Sequence, residues 1–264
     1  MNALTNTVTE TFVLPPRRAA GAYLAEVRYE FTRVLRNPAL ALPIMLVPAA
    51  LYMLIAVAVA GEAIDKDPGL GVFLFGGFGV LAVTMPALFT ISASLAMERE
   101  MGLMKLKRAQ PAPPGSWLVA KLVTGVTFST LAYLPMLAVG LGFGKLTLDL
   151  PHVAAMSAVL ITGSIPFCAL GLMIGTLISG SAAPGYANLV YLPGCYLSGL
   201  FFPLPKSMFW QTPIWPQFHV NQLAMHAAGV TKFQFIPVQM AAAALVGFTV
   251  LFSAVAIWRL ARKG

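Results

Sequence analysis

Six uncharged runs set the pattern of the chain: Leu40–Ala60, Leu70–Met97, Leu122–Phe143, Val153–Ile178, Tyr186–Phe202 and Phe235–Trp258. A helix needs roughly 20 apolar residues to cross the hydrocarbon core of a bilayer. One charge at the centre of such a helix costs about 2.5–3.5 kcal/mol on insertion scales. Clean runs of this length therefore predict six transmembrane helices, of which Tyr186–Phe202 is the shortest. A different pattern precedes them. Over residues 19–37, Leu24, Val27, Phe31, Val34 and Leu35 form one stripe of a 3.6-residue period, with Glu26, Glu30 and Arg33 on the opposite face. Glu30 is placed to pair with Arg33 one turn on, and Asn37-Pro38 stops the helix. An amphipathic helix directly before a span is expected to lie in the membrane interface. The expected fold is an all-α membrane protein in three parts: a tail at 1–18, the amphipathic interfacial helix at 19–38, and a six-span domain at 39–264.

The segment Pro203–Gln234, between the fifth and sixth runs, is nearly uncharged and rich in proline and aromatic residues, including Phe209, Trp210, Trp215 and Phe218. Irregular backbone at membrane depth must be buried in protein or face a cavity, so short re-entrant or interfacial helices are expected there, capping one end of the bundle. Helix breakers recur within the spans at Pro43, Pro48, Pro86, Pro135, Pro166 and Pro193. Gly171/Gly175 and Gly140/Gly144 have the spacing of close helix–helix packing.

Composition agrees with a membrane protein. Of the 264 residues, 58% are hydrophobic and 10% charged, with mean hydropathy +0.81, against about 25% charged in soluble domains. The first 38 residues are mixed polar, so no cleavable leader is expected. Cys168 and Cys195 lie in apolar runs, without a disulfide or CxxC framework. The net charge of +8 is read as topology and attraction to anionic lipid rather than to nucleic acid. Five bases precede the first span (Arg17, Arg18, Arg28, Arg33, Arg36), five lie within 97–121 (Arg99, Lys105, Lys107, Arg108, Lys121) and three follow the last span (Arg259, Arg262, Lys263). Only Lys66, Lys145, Lys206 and Lys232 fall on the other side. The positive-inside rule puts the first group, and both termini, in the cytoplasm.

Chemistry-bearing motifs are sparse. There is no HExxH and no GxSxG, and Gly144-Lys145-Leu146-Thr147 lacks the glycine and hydroxyl of a phosphate loop. His219 and His226 have no carboxylate beside them, so a metal is not expected. With Asn221 they are the candidates for the alternative reading, a membrane enzyme or assembly factor acting on a lipid. No acid or base lies mid-span, which disfavours an ion-coupled carrier. The mid-span polar groups are neutral. Thr84, Asn188, Tyr191 and Ser198 are candidates for a translocation pathway, and Asn188 is the costliest to leave unpaired.

The densest charge in the chain is Met97–Lys121. Within it, Glu98-Arg99-Glu100-Met101-Gly102 resembles the acidic-x-acidic-x-Gly sequence that follows the second span in ABC-2-type transporter permeases. Pro111 and Lys121 resemble that family's next proline and the base opening its third span, and Ser198-Gly199-Leu200-Phe201-Phe202-Pro203 resembles its S-G-x-F-F-P run. The order and spacing of these motifs cover most of the chain after residue 20. Leu103 departs from the threonine common in the family, and Gln217-Phe218-His219 is atypical. The resemblance implies the transmembrane subunit of an ATP-driven exporter in a bacterial inner membrane, moving an amphiphilic or hydrophobic substrate. It implies a second permease copy, identical or a sister, and a separate nucleotide-binding ATPase subunit carrying ATP and magnesium, with no cofactor in this chain. The ATPase stroke would enter through Glu98, Arg99, Glu100 and Gly102, helped by Arg33 on the amphipathic helix.

Overall fold

The computed structural model describes residues 15–109, 112–113 and 115–263; most of the tail and Pro111 lie outside the described residues. Helices account for all the regular structure among the described residues. They are α1 (Pro16–Leu35), α2 (Pro38–Tyr52, continued by a π-helical segment Met53–Val59), α3 (Gly61–Lys66), α4 (Pro68–Glu100), α5 (Leu103–Ala109), α6 (Ser116–Gly142), α7 (Leu150–Thr162), α8 (Ile165–Leu177), α9 (Ala183–Leu197), α10 (Pro216–Ala227) and α11 (Val238–Lys263), with 3-10 helices at Lys206–Ile214 and Thr231–Phe233.

Five stretches are long and apolar enough to cross a membrane: Ala41–Val59, α4, α6, the α7–α8 pair and most of α11. The chain is therefore a multi-pass membrane protein. The run at Tyr186–Phe202 gives only the 15-residue α9, about 22 Å long at 1.5 Å per residue. It nevertheless follows much of the bundle's depth. The Gly180 N–H, just before α9, donates to Glu100 at 3.0 Å, and Leu200, just after it, presses on Gly77. Gly77 and Glu100 lie about 34 Å apart along α4.

Helix α4 is the axis of the fold. It is apolar all round, as a fully surrounded helix must be, and nearly all of its apolar stretch is buried. Helices α2, α6, α8, α9 and α10 pack against it. Glycines make the approach possible. A β-carbon on Gly77 would stand 1.9 Å from the Leu200 carbonyl oxygen. Gly171 and Gly175 of α8 press on the α4 backbone at Leu88 and Ser92, which is the packing their spacing predicts. Gly140 and Gly144 share that spacing, and only Gly140 shares the role, bringing α6 close to α4. Gly140 lies against the Phe75 ring, whereas Gly144 has φ +64° and turns the chain after α6.

The fourth run is broken at Gly163-Ser164. Ser164 Oγ donates to Ile161 O at 2.6 Å, and Pro166 opens α8. The break admits α10, whose Val220 would meet a β-carbon on Gly163 at 2.5 Å. The α10 part of the proline-rich segment thus packs inward, with Gln217, Phe218, His219, Val220, Asn221 and Gln222 all buried, while Trp210 and Ile214 before it are exposed.

Candidate functional site

The charged stretch Met97–Lys121 is folded throughout its described part. Met97–Glu100 is the last turn of α4. Gly102, at φ +71°, ends that helix one residue beyond its C-cap, a position glycine occupies at little steric cost. The chain then reverses into α5, which brings Lys107 back over Glu98. A second left-handed glycine, Gly115 at φ +82°, opens α6 and sets Lys121 in its second turn.

These turns, with α1, assemble a cluster of three carboxylates (Glu26, Glu30, Glu98) and three cations (Arg33, Lys107, Lys121). Lys121 is 1% exposed, Glu98 0% and Glu30 2%. The Lys121 ammonium donates to Glu98 at 2.9 Å, Glu30 at 3.0 Å and Ser94 Oγ at 3.0 Å, which accounts for all three of its protons. Arg33 donates to Glu98 and lies 3.9 Å from Glu30. Lys107 is 3.3 Å from Glu30, 3.6 Å from Glu26 and 3.7 Å from Glu98. Each ion has a counter-ion, as buried charge requires. Burial opposes the charge on Lys107, but Glu98, Glu30 and Glu26 outweigh it and raise its pKa above the ordinary 10.5. Burial likewise opposes Arg33, and Glu30 and Glu98 more than compensate, raising its pKa.

Helix α1 therefore turns its charged face inward, while Leu24 and Leu35 are exposed. Further along, Phe31 stacks on Phe128 of α6 with ring centroids 5.2 Å apart, and Val34 joins Phe128 and Ala41 in a small apolar core. The result is four helices, α1, α4, α5 and α6, pinned at one end of the bundle. Outside the cluster, α1 and α5 form an open groove of about 550 Å³ lined by Ala22, Tyr29, Leu103, Leu106 and Lys107.

Of the residues expected at this site, Glu98 and Arg33 meet in the cluster, and Gly102 supplies its turn. Arg99 and Glu100 point elsewhere. Arg99 donates to Gly175 O at 2.9 Å, capping α8, and Glu100 accepts from Gly180 N–H at the turn into α9. Glu26, Glu30, Lys107 and Lys121 were missing from the expected set. The legible signal for Lys121 was its position in the family-like motif. For Glu30 it was a carboxylate on the polar face of an amphipathic helix.

The pathway candidates divide. Thr84 Oγ1 and Tyr191 OH lie 2.7 Å apart, and Tyr191 also reaches Leu81 O at 3.3 Å, so the pair ties α9 to α4. Ser198 is buried and bonds its own helix at Cys195 O. Asn188 is exposed on α9 beside Leu189 and Leu192. The polar side chains of α10 do not converge on a reaction centre: His219 faces Pro213 O at 2.9 Å, His226 faces Ile236 O at 2.8 Å, and Asn221 lies beside Gly76.

The sequence model of the family described as ABC-2 type transporter matches residues 22–228, from α1 through the end of α10. The chain belongs to the ABC-2 type transporter family. It is also similar to a protein of Bacillus subtilis (strain 168) named "Putative transport permease YvfS", with 25% identity over 175 residues that cover 66% of this chain and 71% of the relative. The match takes in every member of the charge cluster. An ABC-2 permease is a transport component rather than an enzyme, and the cluster described above is the part of this one that joins its peripheral helices to its central span.

Proposed function

We propose that this chain is the membrane subunit of an ATP-driven exporter for amphiphilic or hydrophobic cargo. A separate nucleotide-binding subunit holds ATP and magnesium, and a second permease copy completes the pathway. The observation that carries the reading is the buried cluster. A push on α1 or α5 meets ionic contacts on α4 and α6 instead of a flexible loop. The ATPase docks in the α1–α5 groove, where Tyr29 and Leu106 are exposed, and Glu98 acts behind it as the internal fastening. The cargo class follows from spans whose midsections carry no charge, since a charged cargo would need compensating groups there.

In this reading the α1–α5 end faces the cytoplasm of a bacterial inner membrane, and α9 is the sixth crossing, so both termini are cytoplasmic. Support comes from the distribution of lysine and arginine along the sequence and from the depth of α4 that separates Gly180 from Leu200. Asn188, with the exposed apolar face of α9, turns toward the second copy. Thr84, Tyr191 and Ser198 hold that face in place.

The test is reconstitution of the purified chain with its ATPase subunit in proteoliposomes. Leu106→Asp, at an exposed position, is expected to abolish cargo-stimulated ATPase and co-purification while leaving the thermal midpoint unchanged. Transport by the lone chain without ATP would overturn the proposal.

A further inference from the structure

At the end of the bundle away from the charge cluster, a pocket of about 590 Å³ opens between the start of α4, the chain after α9, the two 3-10 helices and the approach to α11. Small-molecule sites commonly have volumes of roughly 300–1,000 Å³ and mostly apolar walls. Here the apolar walls are Leu70, Leu204, Phe209, Phe233 and Phe235. Phe233 is buried and packs on Phe73 with centroids 4.6 Å apart, while Phe209 and Phe235 meet edge to face at 4.9 Å. Two glycines shape the pocket. Gly199, at φ +70°, turns the chain after α9, and a β-carbon there would stand 3.0 Å from Leu204 Cγ. A β-carbon on Gly69 would stand 3.2 Å from Asp67 Oδ1, so glycine lets that carboxylate lie close against the first turn of α4.

Two charged residues, Asp67 and Lys232, also line this pocket. They meet at 2.7 Å, with 44% of the Asp67 side chain and 63% of the Lys232 side chain exposed. The Lys232 ammonium stands over the Phe233 ring, 5.4 Å from its centroid, the position in which a ring face attracts a cation. The two partners differ in freedom. Asp67 has a short stem and sits at the N-cap of α4. Lys232 has a flexible four-carbon stem, and exposed pairs are held weakly, so its ammonium can swing into water at little cost. The pocket then keeps a fixed carboxylate and an aromatic face beside apolar walls. An anion seated there would gain Lys232 but lie against the charge of Asp67.

We propose that this pocket binds a lipophilic cation, whose charged group takes the place of the Lys232 ammonium at Asp67 and Phe233 and whose apolar body lies on Leu70, Leu204, Phe209 and Phe235. Lys232 is the internal occupant that such a ligand displaces. The site is built from the pocket's own residues and requires nothing of the exported cargo, the ATPase or a second copy.

The experiment uses the full chain purified in a non-ionic detergent. Equilibrium dialysis measures the binding of decyltrimethylammonium and of decyl sulfate, amphiphiles with the same chain and opposite head charges, against protein-free micelles. The wild type is expected to bind one decyltrimethylammonium in preference to decyl sulfate. Asp67→Asn is expected to weaken that binding about tenfold, the effect of one close charge at a partly exposed site. Lys232→Gln is expected to tighten it about threefold, because the competing ammonium is gone. A gain of affinity requires a folded pocket, so this variant decides the matter even if Asp67→Asn lowers the thermal midpoint. Equal binding of the two amphiphiles by wild type would show an apolar surface only and would overturn the proposal. A preference for decyl sulfate would overturn it too, as would cation binding that is unchanged or weakened in Lys232→Gln.

Discussion

The two ends of the bundle use charge in opposite ways. At the α1–α5 end, three carboxylates and three cations are packed among four helices, with Glu98 and Lys121 out of contact with solvent. At the other end the ion pairs are Lys145–Asp65 at 2.6 Å and Lys232–Asp67 at 2.7 Å, and each has an exposed member. Exposed pairs are worth little, because water screens them and two long side chains must be held in one geometry. That end is held instead by apolar contacts: α10 wedged at the α7–α8 break, Phe73 on Phe233 with centroids 4.6 Å apart, and Leu200 on Gly77. Apolar contacts tolerate sliding. A buried ionic cluster does not, because displacing one ion leaves its neighbours uncompensated at low dielectric. One end is therefore fastened by ions that must keep together, and the other is held by apolar contacts.

The comparison can be broken most directly at Lys121. Lys121→Met leaves Glu30 and Glu98 short of a buried counter-charge, and should cost about 3–5 kcal/mol, read as a lowered thermal midpoint of the purified protein. Lys121→Met combined with Glu98→Leu removes one charge of each sign and should recover most of that loss, since an apolar replacement of a buried pair is often neutral. Recovery would identify the loss as electrostatic; no recovery would point to side-chain packing.

At the other end, Gly77→Ala should cost about 1–3 kcal/mol by forcing Leu200 and the end of α9 away from α4. The same thermal measurement reads it. A smaller effect is expected from Tyr191→Phe, about 1 kcal/mol for the lost bond to Thr84, whose hydroxyl keeps Val80 O as a partner.

The smallest effect is expected at the exposed pair. Lys232 holds the Asp67 carboxyl below its ordinary pKa of 3.8. A depressed carboxylate stabilises the fold above its unfolded pKa, and that contribution is lost only as pH falls through the folded value. The difference in midpoint between wild type and Lys232→Ala should therefore be slight and the same at pH 7 and pH 5.

Much of this architecture can be read from the chain because hydropathy reports burial and lipid alike. Runs of uncharged residues mark the spans. The gap in information is also physical. Hydropathy does not distinguish a lipid-facing helix from one surrounded by protein, so nothing in its sequence marks α4 as the axis beyond its unusual density of glycine. The short α9 reads as a span by polarity and falls short by length, because Ser198-Gly199 ends the helix while the apolar run continues to Phe202. The paired acids Glu98 and Glu100 stand out in the sequence, and their spacing alone divides them. Two residues apart on a helix, Glu98 and Glu100 had to face different neighbours. The partner of Lys121, Glu30, is 91 residues away, and only the fold brings them together. The amphipathic pattern of α1 marks the helix, but both of its faces meet the protein: Glu26, Glu30 and Arg33 enter the cluster while Phe31 and Val34 pack on Phe128, which leaves Leu24 and Leu35 exposed.

The cluster balances three negative charges with three positive ones, and this bears on the electric field across a bilayer. Moving one elementary charge through the whole field is worth about 2.3 kcal/mol per 100 mV. The six ions of the cluster displace no net charge when they travel together, so their own share of any movement is neither helped nor opposed by the membrane potential, which acts instead on the bases outside it, such as Arg28 and Lys105.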